Sequence, residues 1–388
     1  MRTLRIDASA ARGAAASQIF EEVKFIPLET TKESLFGSIH QLRIANNNYV
    51  IWDYDTKAIL IFDREGKYKN KINASKIEKD PADKESPTFY GFTLVPENNT
   101  QLILLVAGKD YYYFDLNAKL VRKVKKGDSE LYQGGHKFSD GTELRGHYSE
   151  KKDKDSTYYE VALLKDKKMV EGYFPFSINR YKTDQFFSGG ESITDYGVKD
   201  EYFFVNFYEY NVYKITSKKV FLNYRIIFPA VNSLPADFKD NPIYKGKRQE
   251  YFQKNTKVYY SVGNTYQIGD NLYFKVNNFT WGGPNERKAF IYSLKSNAIT
   301  SVSDIEPDSL SQFLPVTDAG VYHDFANKGF QLFDGKHFYT SYSALALFNF
   351  KEQNDGKGRT YDPALTEYFK TQNKKSNPVI IQLKPKKN

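Results

Sequence analysis

A four-strand unit, cleanest between Ser38 and Ile72, constrains this chain more than any other feature. Residues 39–44, 49–53, 58–63 and 67–72 are rich in β-branched and aromatic side chains, and Asn, Asp and Gly stand between them where tight turns need positive φ. The pattern is one antiparallel meander, the size and shape of a propeller blade. Asp53, Asp63 and Asp115 end strands and are read as turn formers.

The unit recurs with drift. A second copy spans 90–95, 101–107, 110–115 and 119–124, and a third spans 132–138, 142–148, 157–164 and 169–174. The fourth takes 192–196, 202–206, 210–215 and 220–227; the fifth takes 264–268, 271–276, 288–294 and 298–303. A less regular sixth places strands at 312–316 and 337–342, completed by 379–383 and by an N-terminal strand over 22–30. That strand has no partner of its own, so pairing it into the last blade closes the ring and removes an open edge. The expectation is an all-β protein, one six-bladed β-propeller domain over 1–388, with a poorly specified Ala-rich arm at 1–18.

Composition agrees with this. Tyr 31 and Phe 30 against Met 2 favour β-structure over helical bundles. The net charge of +9 is spread along the chain without a basic block, which argues against a nucleic-acid partner. With Cys 0 there is no disulfide framework, no thiolate nucleophile and no Cys-containing zinc site. The sequence carries no glycine fingerprint for a nucleotide and no metal-binding motif, so no cofactor is expected. No stretch approaches the ~20 apolar residues of a membrane span, and residues 1–20 hold no apolar core of signal-peptide length.

Four segments carry a family likeness. They are Phe25-Ile26-Pro27-Leu28-Glu29-Thr30, then Tyr49-Val50-Ile51-Trp52-Asp53 followed by 61–68, and near the end Asn377-Pro378-Val379-Ile380-Ile381. Together they resemble the six-bladed β-propeller family of exported bacterial proteins, distantly similar to NHL-repeat propellers. The resemblance departs before the second blade, where Pro87-Thr88-Phe89-Tyr90 replaces a Gly-rich segment. It implies an extracytoplasmic protein, periplasmic or on the cell surface, held to a membrane only through a lipid anchor that this chain does not contain. It brings no catalytic residues to transfer.

Loop length sorts the two faces of the ring. In each blade the first and third turns fall on one face and are short; the second turns and the links between blades fall on the other. That second face collects 73–89, 149–156, 175–191, 228–263, 277–287 and 343–377, with partly helical insertions at 228–263 and 343–377. Such loops are either functional or neutral shielding of the core.

Two loops look suited to binding. In one, Asn278, Phe279, Trp281 and Arg287 sit on a Gly-Gly-Pro frame, a flat aromatic beside amide and guanidinium donors that suits a sugar ring or peptide. The plainer reading folds Trp281 inward as an anchor. In the other, Arg180 beside Tyr181 could clamp a carboxylate, or could simply be a solvated surface residue. His136 and His147 lie on adjacent strands of the third blade and could converge at the channel as ligands or a base, or be structural.

The leading expectation is a non-enzymatic binding protein for a carbohydrate, peptide or envelope protein. The alternatives are a polysaccharide hydrolase or lyase at the channel mouth, and an envelope interaction scaffold.

Overall fold

A computed structural model describes residues 1–73, 76–77, 89–98, 100–108, 110–125, 136–151, 156–177, 179–180, 184–187, 192–280, 287–317 and 332–387. The N-terminal residues, expected to be poorly specified, instead form β1 (Arg2–Arg5), β2 (Arg12–Ala15) and, after the single turn α1 (Ala16–Ile19), β3 (Phe20–Pro27). Leu4, Ile6 and Ala8 alternate with exposed residues and are buried, as are Ala11 and Ala16. The arm is therefore a strap with a genuine strand period, disguised in sequence because its buried residues are mostly alanines of small apolar area.

Four blades follow in the predicted order. The first is β4 (Gln41–Ala45), β5 (Asn48–Asp53), β6 (Ala58–Asp63) and β7 (Tyr68–Asn73); the second is β8 (Thr93–Glu97), β9 (Thr100–Ala107), β10 (Asp110–Phe114) and β11 (Leu120–Lys125). The third comprises β12 (His136–Lys137), β13 (Glu143–Tyr148), β14 (Thr157–Lys165) and β15 (Lys168–Ser177); the fourth comprises β16 (Ile193–Thr194), β17 (Tyr202–Val205), β18 (Asn211–Ile215) and β19 (Val220–Ile227). The three predicted turn formers act as such. Asp53 Oδ2 accepts from the Thr56 amide, Asp63 Oδ1 from those of Glu65 and Lys67, and Asp115 Oδ1 from those of Asn117 and Lys119.

A helix, α2 (Arg248–Lys254), lies in the link to the fifth blade, β20 (Tyr259–Ile268), β21 (Asn271–Asn278), β22 (Ala289–Ser293) and β23 (Ile299–Glu306). The strap adds a fifth strand to two blades: β1 runs parallel to β19 and β2 parallel to β23. The sixth blade holds β24 (Phe338–Tyr342) and, after the helices α3 (Ala344–Asn354) and α4 (Pro363–Thr371), β25 (Val379–Pro385). Its outer strand is β3, antiparallel to β25 from Pro27 opposite Val379 to Phe20 opposite Pro385. Ring closure by the N-terminal strand is thus as expected.

The strand expected at 312–316 is absent. Gln312 and Phe313 stand in succession at φ 54° and 57°, two consecutive left-handed residues that turn the chain out of a strand path, and among the described residues the innermost pairing of this blade is a bridge between Phe333 and Phe338. Leu314 and Val316 are nevertheless fully buried, so their apolar character reflects burial rather than strand formation.

Both faces of the first sheet are covered by neighbouring blades. Tyr49, Ile51, Leu60 and Phe62 pack toward Ile26, Tyr339 and Ile380 of the sixth blade, while the intervening Val50, Ile59 and Ile61 pack toward Ile103, Leu105 and Phe114 of the second. Burial on both faces is why the strands read as unbroken apolar runs. Each large side chain so buried contributes about 1.5–3 kcal/mol. In α4, Leu365 and Tyr368 are buried on the propeller body and Phe369 packs beside them, the apolar face that their spacing predicts.

Candidate functional site

The loops over blades three to five are fused to one another. Tyr208, Phe238, Phe252 and Val258 form a buried cluster, with Phe186, Phe187, Phe207, Tyr251 and Phe279 packed against it. These residues come from four separate connections of the long-loop face. A buried ion pair ties three backbone segments together: Arg248 Nε donates to Asp184 Oδ2 at 3.0 Å, Nη2 to the Lys239 carbonyl at 3.0 Å, and Nη1 to the Phe238 carbonyl. The rim is consequently a built wall with its own small core.

At the foot of this wall stands Glu160, on β14. It is 3% exposed, a charged residue inside the apolar run Thr157–Lys165. Across the sheet, Gly146 pairs with Val161 and Tyr148 with Tyr159, so His147 falls opposite Glu160. His147 Nε2 lies 2.9 Å from Glu160 Oε2, and Arg180 Nη2 donates to Oε1. His147 sits at φ 49° at the end of β13, and its side chain is 55% exposed. Burial works against the Glu160 charge, but the hydrogen bonds from His147 and Arg180 outweigh it, and the carboxyl titrates below its ordinary value.

Aromatic rings complete the setting. The Arg180 guanidinium lies 4.2 Å from the centre of Phe176 and 4.7 Å from that of Phe186. The imidazole of His147 meets Phe176 edge-on at 5.8 Å and runs nearly parallel to Phe207 at 6.4 Å. Glu160 favours the tautomer protonated on Nε2, which makes Nδ1 the acceptor nitrogen. The arrangement offers a ligand a fixed imidazole, a guanidinium and flat apolar faces.

Two of the predicted residues, Arg180 and His147, are therefore brought together, by a carboxylate that sequence reasoning missed. The available signal was a lone Glu in a buried strand, in cross-strand register with a histidine. His136 does not join them. Its ring packs on Tyr202 at 4.4 Å, and its register partner Leu144 lies three residues, or ~10 Å, along β13 from His147. The expected convergence of the two histidines fails because the strand spacing separates them.

Phe279 is an internal anchor, 5.7 Å from Phe187 and 6.3 Å from Phe252. Asn278, at the end of β21, accepts from the Thr280 hydroxyl at 2.8 Å. Arg287 staples the strap: Nε lies 2.6 Å from Asp304, and Nη1 donates to the Ala11 carbonyl at 2.9 Å. Trp281 and Tyr181 lie outside the described residues. Among the described residues, no group of His, Cys, Asp and Glu could hold a metal ion, and no helix is long and apolar enough to cross a membrane.

The family described as "Domain of unknown function (DUF4934)" matches residues 3–384. A solved structure from Bacteroides fragilis NCTC 9343, of a protein provisionally described as exported, aligns with a TM-score of 0.61 at 15% identity, covering 99% of each chain. A DUF4221 family member from Bacteroides vulgatus aligns at 0.39 and 12% identity over 93% of this chain and 98% of its own, too distant to carry an argument. At these identities the likeness is one of fold. No curated protein matches the chain.

Proposed function

We propose that this chain, which belongs to the DUF4934 family, is a non-enzymatic binding propeller working outside the cytoplasm. Its long-loop face engages a carbohydrate, a peptide or an envelope protein. One observation carries the reading: connections from several blades share a buried aromatic core and a buried ion pair, and hold the solvent-facing His147 on Glu160. A rim ordered in advance does not lose that entropy again when it binds. An extracytoplasmic location is supported by the fold shared with a protein provisionally described as exported.

The test is binding of the purified chain to glycan and peptide arrays, repeated with His147→Ala, Arg180→Ala and Phe207→Ala. A ligand held by this site loses at least about tenfold in affinity in each variant. A ligand bound equally well by all three refutes the assignment, and so does the lack of any ligand.

The second reading is a polysaccharide hydrolase or lyase. It is favoured by a histidine oriented by a buried carboxylate, the pairing a general base requires. Incubation with soluble polysaccharides, followed by assays for new reducing ends and unsaturated sugars, decides it. A bound but chemically unchanged polysaccharide removes this reading.

A further inference from the structure

The geometry points to an aromatic shelf at the corner of the first blade that receives a neutral saccharide ring. This deepens the binding reading above and rests on the long-loop face being the binding face. Tyr54 begins the turn between β5 and β6, and Tyr90 lies in the link to the second blade. They are 43% and 74% exposed, their ring centres are 6.4 Å apart, and their planes are inclined by 31°. Behind them Trp52 meets Tyr54 edge-on at 5.9 Å, and His40 lies 5.6 Å from Trp52 and 5.9 Å from Tyr54.

These rings are exposed on a backbone that is held in place. Gln41 clamps the residue two beyond Tyr90: its Nε2 donates to the Phe92 carbonyl at 2.9 Å, and its Oε1 accepts from the Phe92 amide at 3.0 Å. The Tyr54 amide donates to His40 Nδ1 at 3.1 Å, and Asp53 Oδ2 accepts from both the amide and the hydroxyl of Thr56. Large aromatic side chains are strong sources of burial energy, so rings presented to water on a clamped frame mark a place where something else covers them. Trp52 backs the shelf from the core side, where it packs against the buried cluster shared by the first and second blades.

The rim chemistry selects the occupant. Asp55 is an exposed carboxylate beside Tyr54, and the Lys57 ammonium lies 3.1 Å from the Tyr54 ring centre. These two charges offset one another at the rim, the nearby Asp53 carboxylate being fully buried on the amide and hydroxyl of Thr56. The Lys57 ammonium covers one face of Tyr54; the remaining ring faces, bordered by one carboxylate and by phenol hydroxyls, match a sugar, whose C–H face is apolar and whose hydroxyls both donate and accept.

The sequence supplies its own reporter. Trp52 and Trp281 are the two tryptophans, so in a Trp281→Phe background the indole emission comes from the shelf. That protein is titrated with neutral hexasaccharides of glucose, mannose, galactose and xylose to about 10 mM, a range that reveals millimolar binding. We expect at least one to give a saturable change, and Tyr54→Ala/Tyr90→Ala to weaken its Kd by at least about tenfold. Val170→Ser, on the outer edge of the third blade, leaves the titration unchanged. Tyr90→Ala alone, the milder variant, weakens binding in the same direction, and equal thermal midpoints exclude misfolding.

The inference is overturned if no neutral hexasaccharide changes the emission. It is equally overturned if the double variant binds with the parent Kd, or if only charged oligosaccharides or peptides bind. Loss of the shelf signal with an array ligand still sensitive to His147→Ala sinks the shelf and spares the broader reading. Failure of both sinks both.

Discussion

Replacing Glu160 by Gln removes one negative charge and almost no volume, which makes it a sharp probe of the site. The carboxylate is 3% exposed and holds both Arg180 and His147. Breaking a fully buried pair costs about 3–5 kcal/mol, and a hydrogen bond to a charged group is worth about 1.5–3 kcal/mol. Arg180 keeps 19% of its side chain in solvent, so part of its charge stays hydrated and the lower range applies. Glu160→Gln is therefore expected to cost about 2 kcal/mol at pH 7.

The pH dependence gives the sign. The folded-state value of Glu160 is lowered, so its contribution is fully present above the unfolded value of about 4.3 and is lost as pH falls through the folded value. Urea denaturation of both proteins from pH 7 down to pH 3, followed by tyrosine and tryptophan fluorescence, should show a gap that closes with acidification. A gap of the same size at both ends, or none at pH 7, refutes the electrostatic account. Widening of the gap in acid would reverse its sign.

Three further outcomes follow from ring closure and from buried phenols. Asn377 is fully buried; its Oδ1 accepts from the Phe36 amide, and its Nδ2 donates to the Glu29 and Ser34 carbonyls. Asn377→Ala strands these groups and should lower stability by about 3 kcal/mol, read as a fall in the urea midpoint. Gly66 stands at φ +83°, where an added Cβ would lie 2.2 Å from the Pro27 carbonyl oxygen. Gly66→Ala should cost about 2 kcal/mol or more and separate β3 from the first blade, seen as faster hydrogen exchange over Phe20–Pro27. Burial pushes Tyr49 and Tyr213 up to about 12. A raised phenol value gives stability that is complete below the unfolded value of about 10 and is lost as pH rises through the folded value. Tyr49→Phe should therefore blunt the loss of stability between about pH 10 and 12, measured by urea denaturation; an unchanged alkaline slope contradicts this.

Most of the architecture could be read locally. β5, β6, β9 and β10 follow from apolar runs bounded by turn residues, because strand burial and turn conformation are set within a few positions. The asymmetry of the two faces also came from loop length alone. What escaped depends on distant partners. Arg2 pairs with Tyr224 and Ala15 with Glu306, more than two hundred residues away, and no local pattern states that an Ala-rich arm will find those edges. Gln312 and Phe313 show the reverse error, a locally plausible strand that the backbone cannot follow.

The candidate site divides in the same way. The sequence determined that a ring of meanders would form, closed by its own N-terminal strand, with its long connections on one side, because alternation and turn chemistry are short-range properties. Only the tertiary structure decided that Arg180 and His147 meet on Glu160, that Phe279 is an anchor, and that Tyr54 and Tyr90 stand together in solvent. The reason is physical: a buried charge is tolerable only where its partners converge in space, and that convergence is a property of the assembled blades.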